Sequence, residues 1–391
     1  MTTPAFLPAR EAAARIGVKP ATLYAYVSRG RLRAFTLPGR RGSWFDPVQL
    51  DAVGARAQRP RERRPDLRIV SAVTLIDRGA FWYRGRRPQD LARTHAFEQV
   101  AEYLWNGAAT GAHPPWRADR AGVRAARKVL KALPGDVPPV EALRFAVSAQ
   151  ALEDPLRFDR RPSGLVVTAR RLMATALAAV SGRVDGAAAA QVAAWIGARP
   201  EATRLAAIDD VLVLMADHEL AASTVAVRVA ASFGADPYAA VAAGFGAMSG
   251  TRHGAASRRL EEALASMARR VPPGRAAMGL LGDDGTVPGF GHPLYPDGDP
   301  RVPPILALAA RLGPTMRADR LRETLQAQGA SRPNVDFALA AFTHALGVAP
   351  GAGEALFTAA RLAGWLAHAM EEYASRTDFR LRAIYSGDRP D

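Results

Sequence analysis

From about Pro88 onward the sequence carries almost nothing but helical pattern, interrupted by Pro- and Gly-rich loops. Apolar residues recur three and four positions apart in Arg93–Trp105, Leu165–Val180, Glu219–Phe233 and Gly353–Glu372, which is the period of a helix with a buried face. Alanine and leucine dominate many of these segments, and both favour helix. β-prone runs are confined to two places before Pro88. A chain of 391 residues patterned this way is expected to be mainly α, with two or three domains and ample core. No internal repeat and no long low-complexity tract interrupts the pattern.

The composition narrows the chemistry. With 49% hydrophobic and 23% charged residues the chain has an ordinary globular balance. Cysteine is absent, which rules out disulfides and thiolate metal sites. Met1–Ala5 lacks a basic stretch followed by an apolar one, so no signal peptide is expected. The uncharged run from Phe337 to Gly353 is broken by His344, Pro350 and glycines, and falls short of the roughly 20 apolar residues of a membrane span. A cytoplasmic protein without a membrane partner is the reading.

The net charge of +15 is unevenly placed. Residues 1–68 hold 14 Lys/Arg against 5 Asp/Glu, a net of +9 in under a fifth of the chain. Such asymmetry fits an appended module that meets a polyanion, although an Arg-rich surface throughout would also produce it. The first unit spans residues 1–55. Within it Leu7–Ile16 reads as a short Ala-rich helix ending at Gly17, a residue suited to a left-handed turn. A second helix opens with Pro20 in its first turn and repeats apolar residues at Leu23, Tyr26 and Val27. That is helix-turn-helix geometry. Two β-prone runs follow between Arg29 and Phe45, about Pro38–Gly42, as a basic wing. The whole resembles the winged helix-turn-helix of excisionase and MerR-type proteins. Lys19, Thr22, Tyr24, Arg29, Arg33, Arg40 and Arg41 are the candidate contacts to double-stranded DNA, the basic ones chiefly to phosphate. A helical hairpin serving only protein contacts is the alternative. Residues 56–68 (RAQRPRERRPDLR) have two prolines and no apolar period, and read as a linker. Ile69–Gly85 then reads as a hairpin turning at Asp77-Arg78-Gly79.

Three later segments carry residues suited to chemistry. Ala216–Thr224 (ADHELAAST) leads to Gly246–Ala256, where His253 stands between glycines that let backbone approach a ligand. Pro288–Arg301 (PGFGHPLYPDGDPR) sets His292 in a Gly/Pro-rich loop with Arg301 nearby, a composition common in anion recognition. Arg332–Phe337 places Asp336 at the mouth of an apolar helix, where an N-cap is the plain alternative. No His spacing suited to zinc occurs. Composition and spacing alone leave a helical protein with a candidate His/Asp site.

Taken in order, these motifs resemble those of the citrate synthase family over about residues 69–391. IDRGAFWYRG, ADHELAAST, GTRHGAA, GFGHPLYPDGDPR, PNVDF, ARLAGWLAH and RLRAIYSG follow one another at compatible spacing. The resemblance implies a large helical domain (69–254 and 345–391) and a small one (255–344) closing over substrates. It implies condensation of acetyl-CoA with oxaloacetate to citrate and CoA, without metal or other cofactor. Asp336 would be the general base, His253 would steady the enolate oxygen, and His292 would polarise the ketone. His218, Arg301, Arg361 and Arg380 would hold the two carboxylates, arginine doing so bidentately. In the family the last arginine comes from a partner subunit, which implies a homodimer.

The sequence departs from the family pattern in places. Met215 stands for a frequent histidine, Ala221 for an asparagine, Thr251-Arg252 for Pro-Leu, Ser257 for an asparagine, and Pro296 for a residue that often meets CoA phosphate. Arg252, Arg258 or Arg259 could replace that basic group. Two classes of function follow: an active synthase with a DNA-binding appendage, or a transcription regulator using the synthase body as a metabolite sensor. A 2-methylcitrate synthase or a citryl-CoA lyase would share the same motifs.

Overall fold

The computed structural model describes residues 6–28, 32–36, 42–47, 49–51, 53, 69–107, 114–249, 256–268, 270–282, 286–375 and 379. The chain divides into two compact units, residues 1–69 and 70–391.

In the first unit, strand β1 (Leu7–Pro8) runs into α1 (Ala9–Arg15), and α2 covers Pro20–Ser28. Gly17, at φ +67°, makes the turn between the helices, with Val18 N–H donating to Ala13 O at 3.0 Å. β1 pairs antiparallel with β2 (Trp44–Phe45), and Phe35 and Trp44 exchange two backbone hydrogen bonds of 2.8 Å. Ala12, Ala13, Ile16, Leu23, Leu32, Phe45 and Leu50 form the core. Leu23 is fully buried, and burial of such a side chain contributes about 2 kcal/mol. The expected 56–68 linker lies outside the described residues.

The second unit opens with the hairpin β3 (Thr74–Asp77) and β4 (Ala80–Tyr83). Its two-residue turn holds Arg78 and Gly79 both at positive φ, the conformation that suits strand twist. Ile69–Val73, expected as strand, is not part of the ladder. Helices follow: α3 (Pro88–Thr94), α4 (Phe97–Asn106), α5 (Arg120–Lys131), α6 (Pro139–Gln150), α7 (Pro162–Ser181), α8 (Ala188–Ile196), α9 (Ala202–Met215), α10 (Ala222–Ser232), α11 (Pro237–Met248), α12 (Ala256–Ala268), α13 (Pro273–Met278), α14 (Val302–Leu312), α15 (Met316–Ala327), α16 (Val335–Leu346) and α17 (Ala352–Ser375). The helix expected over 93–105 is in fact two, because His95 and Ala96 are extended and Gln99 caps the start of α4.

α17 is apolar on nearly every side and buried along its length, packing against α4, α6, α7, α9, α10 and α11. α7 is the one described helix long and apolar enough to cross a membrane by length and composition, and 67% of that stretch is buried in this fold. Two cores result. The larger includes Val335, Ala338, Leu339 and Phe342 from α16, and the smaller joins α12, α13 and α15 to Phe337, Ala340 and Ala341 of the same helix. α16 thus lies between the cores, and its first turn opens onto the cavity described next.

Candidate active site

His218, Ala221, Gly291, His292, Arg301, Asn334, Asp336, Phe357 and Arg361 share the wall of one cavity of about 290 Å³. Five sequence-selected residues from four distant segments therefore meet. His253 and Arg380 lie outside the described residues, so neither is placed. In the first unit Lys19, Tyr24 and Arg33 are exposed and Thr22 half-buried, while Arg29, Arg40 and Arg41 lie outside the described residues.

Two loops are fastened together to bring His292 beside Asp336. Phe290 bridges Pro333, Gly291 N–H donates to Arg332 O at 2.8 Å, and Asn334 N–H donates to Gly289 O at 2.8 Å. The Asn334 amide also donates to Gly291 O at 2.9 Å. Gly289 sits at φ +78°, and a β-carbon there would collide with Leu260, so only glycine allows this approach. The Asn334 side chain, not Asp336, caps α16, accepting from Asp336 N–H at 2.9 Å. The Asp336 carboxyl is consequently free of the capping duty that its position in the sequence suggested.

The electrostatics favour a proton acceptor there. Burial raises the Asp336 pKa to about 6, with Asp299 adding to the rise and Arg301 opposing it. His292 is shifted the other way, downward, by burial and by the Arg301 cation. Its Nδ1 accepts from Leu294 N–H at 3.2 Å, which leaves Nε2 as the ring's donor. The ring lies edge-on to His218 at 5.3 Å and tilted against Tyr295 at 4.8 Å. His218 Nε2 in turn meets the Tyr295 hydroxyl at 2.8 Å.

Arg301 is 2% exposed and clamped by Asp299 through Nε at 2.9 Å and Nη2 at 2.7 Å. Asp299 also accepts Val335 N–H at 3.1 Å, tying the arginine to the start of α16. Arg361 is buried over the Phe357 ring, its Nε donates to Met215 O at 3.3 Å, and its Nη2 has no hydrogen-bond partner. A buried, unsatisfied guanidinium nitrogen in a cavity wall is suited to an anionic ligand. Of the basic residues weighed as CoA contacts, Arg258 pairs with Glu262 at 3.2 Å and Arg259 donates to Gly279 O, also at 3.2 Å. Arg252 lies outside the described residues.

Sequence reasoning did not single out Tyr295, Asp299, Asn334, Asp217 or His368. The D-x-R spacing at Asp299–Arg301 was the legible signal for one of them; a two-residue separation permits the bidentate clamp.

A cavity with two buried guanidinium groups, a donor imidazole and a buried carboxyl of raised pKa is chemically suited to proton abstraction beside an anionic ligand. The family model described as citrate synthase, C-terminal domain, matches residues 67–382. A 2-methylcitrate synthase of Mycobacterium tuberculosis is 30% identical, the match covering 83% of this chain and 92% of the relative. A citrate synthase of Mycolicibacterium smegmatis is 29% identical, over 85% of this chain and 96% of the relative. Among solved structures, Thermoplasma acidophilum citrate synthase in ternary complex with carboxymethyl coenzyme A and oxaloacetate superposes with TM-score 0.67 at 23% identity, over 83% of this chain and 96% of that one. Pyrobaculum aerophilum citrate synthase gives 0.65 at 26%, over 83% and 91%. The chain is an enzyme of the citrate synthase family.

Proposed function

We propose that this protein condenses acetyl-CoA with oxaloacetate to give citrate and CoA. Asp336 removes a proton from the acetyl methyl group, and His253 donates to the enolate oxygen. The enolate carbon attacks the oxaloacetate ketone, whose oxygen is polarised by His292. Hydrolysis of the resulting thioester releases CoA. His218, Arg301 and Arg361 hold the oxaloacetate carboxylates, and Arg380 completes the set from a second copy of the chain. The observation that carries this reading is a carboxyl with pKa about 6 in the same cavity wall as His292, Arg301 and Arg361. A methyl proton so weakly acidic needs a base that is ionised at neutral pH yet poorly solvated. Relatives named citrate synthase and relatives named 2-methylcitrate synthase match comparably well, so propionyl-CoA is the competing acyl donor. Thiol release with acetyl-CoA against propionyl-CoA separates the two, and Asp336→Asn is expected to lower either rate at least about a hundredfold. Full activity in that variant would refute the assignment.

The first unit is assigned to double-stranded DNA. The turn at Gly17, the burial of Leu23, and the exposure of Lys19 just before α2 and of Tyr24 on it support a helix offered to a groove. A gel shift that weakens with salt and with Lys19→Ala supports this; no shift at low salt refutes it. A shift that responds to oxaloacetate would add regulation to catalysis.

A further inference from the structure

Behind the cavity wall lies a buried polar cluster that the condensation does not use. His368 and Arg228 are both fully buried, and Arg228 Nη1 lies 3.0 Å from His368 Nδ1. Arginine can only donate, so Nδ1 accepts and the ring proton sits on Nε2. That nitrogen faces Asp217 Oδ2 at 3.3 Å. The same oxygen accepts from Thr74 Oγ1 at 2.5 Å and from Glu219 N–H at 3.0 Å. Arg228 is itself balanced by Glu371 at 2.6 Å and Glu372 at 3.0 Å. Burial pushes the Asp217 carboxyl up, but His368, Arg361 and Thr74 outweigh it and hold the group below the usual range.

Geometry ties this cluster to the site. Arg361, Gly364 and His368 form one stripe of α17, at intervals of three and four residues. Each touches the turn that ends in His218: Arg361 Nε at Met215 O, Gly364 N–H at Ala216 O (3.0 Å), and His368 at Asp217. A β-carbon at Gly364 would overlap both Ala216 O and the Asp217 carboxylate. Glu219, the residue after His218, is held at φ +52°, a conformation unfavourable to a non-glycine residue. The stripe and the Asp217 hydrogen bonds hold that turn, and with it both His218 and the buried Arg361 Nη2, which has no hydrogen-bond partner.

We infer that His368 is a positioning residue: by donating to Asp217 it fixes the 215–219 turn, and so sets His218 and Arg361 for the dicarboxylate substrate without touching it. The inference rests on the function proposed above. It predicts that loss of the donor weakens the dicarboxylate and leaves the acyl-CoA nearly untouched, a selectivity that general loosening would not produce.

The test compares wild type, His368→Leu and His368→Gln, the last placing an amide nitrogen near the Nε2 position. Expected is a rise of at least about tenfold in KM for oxaloacetate in His368→Leu, under about threefold change in KM for acetyl-CoA, and recovery toward wild type in His368→Gln. An unchanged oxaloacetate KM in folded His368→Leu, or equal losses for both substrates, overturns the inference. Should His368→Leu fail to fold, Asp217→Asn takes its place with the same expected selectivity and the same overturning result. Calorimetric titration of oxaloacetate runs in parallel. A wild type that binds oxaloacetate but releases no thiol defeats the condensation reading alone, and the inference then stands or falls on whether His368→Leu binds at least tenfold more weakly. A wild type that neither turns over nor binds it defeats both.

Discussion

Replacing Asp336 with asparagine should make the protein more stable while removing its activity. The carboxyl has a pKa of about 6 in the folded chain, mainly because its ionised form is buried. The unfolded value is about 3.9. A native pKa above the unfolded one means the folded state binds more protons between these values, so stability falls as pH rises from about 4 through 6. Near pH 7 the ionised carboxylate costs the fold up to about 3 kcal/mol, from two pKa units at about 1.4 kcal/mol each. Asparagine removes that cost but also an acidic group from the first turn of α16, where it contributes about 0.5 kcal/mol. Asn334 still caps the helix, since it accepts from the backbone of residue 336. The net expectation is a gain of about 2 kcal/mol at pH 7, shrinking to nearly nothing at about pH 4. Urea titrations of both proteins at the two pH values measure it, with thiol release assayed alongside. A variant less stable than wild type at pH 7, or a stability gain equally large at pH 4, would show that Asp336 is not a strained buried carboxylate.

Further outcomes follow from the same geometry. kcat/KM should fall about tenfold per pH unit below 6, because the base must be ionised; a rate flat down to pH 5 would contradict its pKa of about 6. Arg301→Met should destabilise by about 3–5 kcal/mol, since it leaves Asp299 buried and unpaired, and Asp299→Asn in the same chain should recover part of that loss in a denaturant titration. Gly364→Ala should cost about 1–3 kcal/mol in melting experiments, as α17 must retreat from Ala216 and Asp217. Leu23→Ala should cost the first unit about 2–5 kcal/mol and abolish a DNA gel shift while leaving thiol release unchanged.

Much of this was legible in the sequence, for reasons that can be stated residue by residue. The 3.6-residue period located α7 and α17 closely, because each buries a long apolar face. Pro and Gly marked ends where a donor is missing or φ must be positive, as at Gly17 and Pro20. Single residues in Gly-rich loops could not be weighed by spacing alone. His292 and Asp336 reach one cavity wall through hydrogen bonds between residues 289–291 and 332–334, more than forty positions apart. Asp336 reads as a cap until Asn334 is seen to fill that place. The relay through Asp217, His368 and Arg228 was hidden for a different reason. His368 and Arg228 look like ordinary polar interruptions of apolar helices, and their burial becomes apparent only when α10 and α17 are packed.

In the proposed reaction this cavity forms a carbon–carbon bond between an acetyl methyl and the ketone of oxaloacetate. Acetyl-CoA labelled in its methyl carbon, incubated with oxaloacetate and the intact protein and followed by carbon NMR, tests it directly. Label is expected to pass into a methylene of citrate as free thiol appears in equal amount. Label that stays as acetyl-CoA, or emerges only as acetate, would contradict the claim.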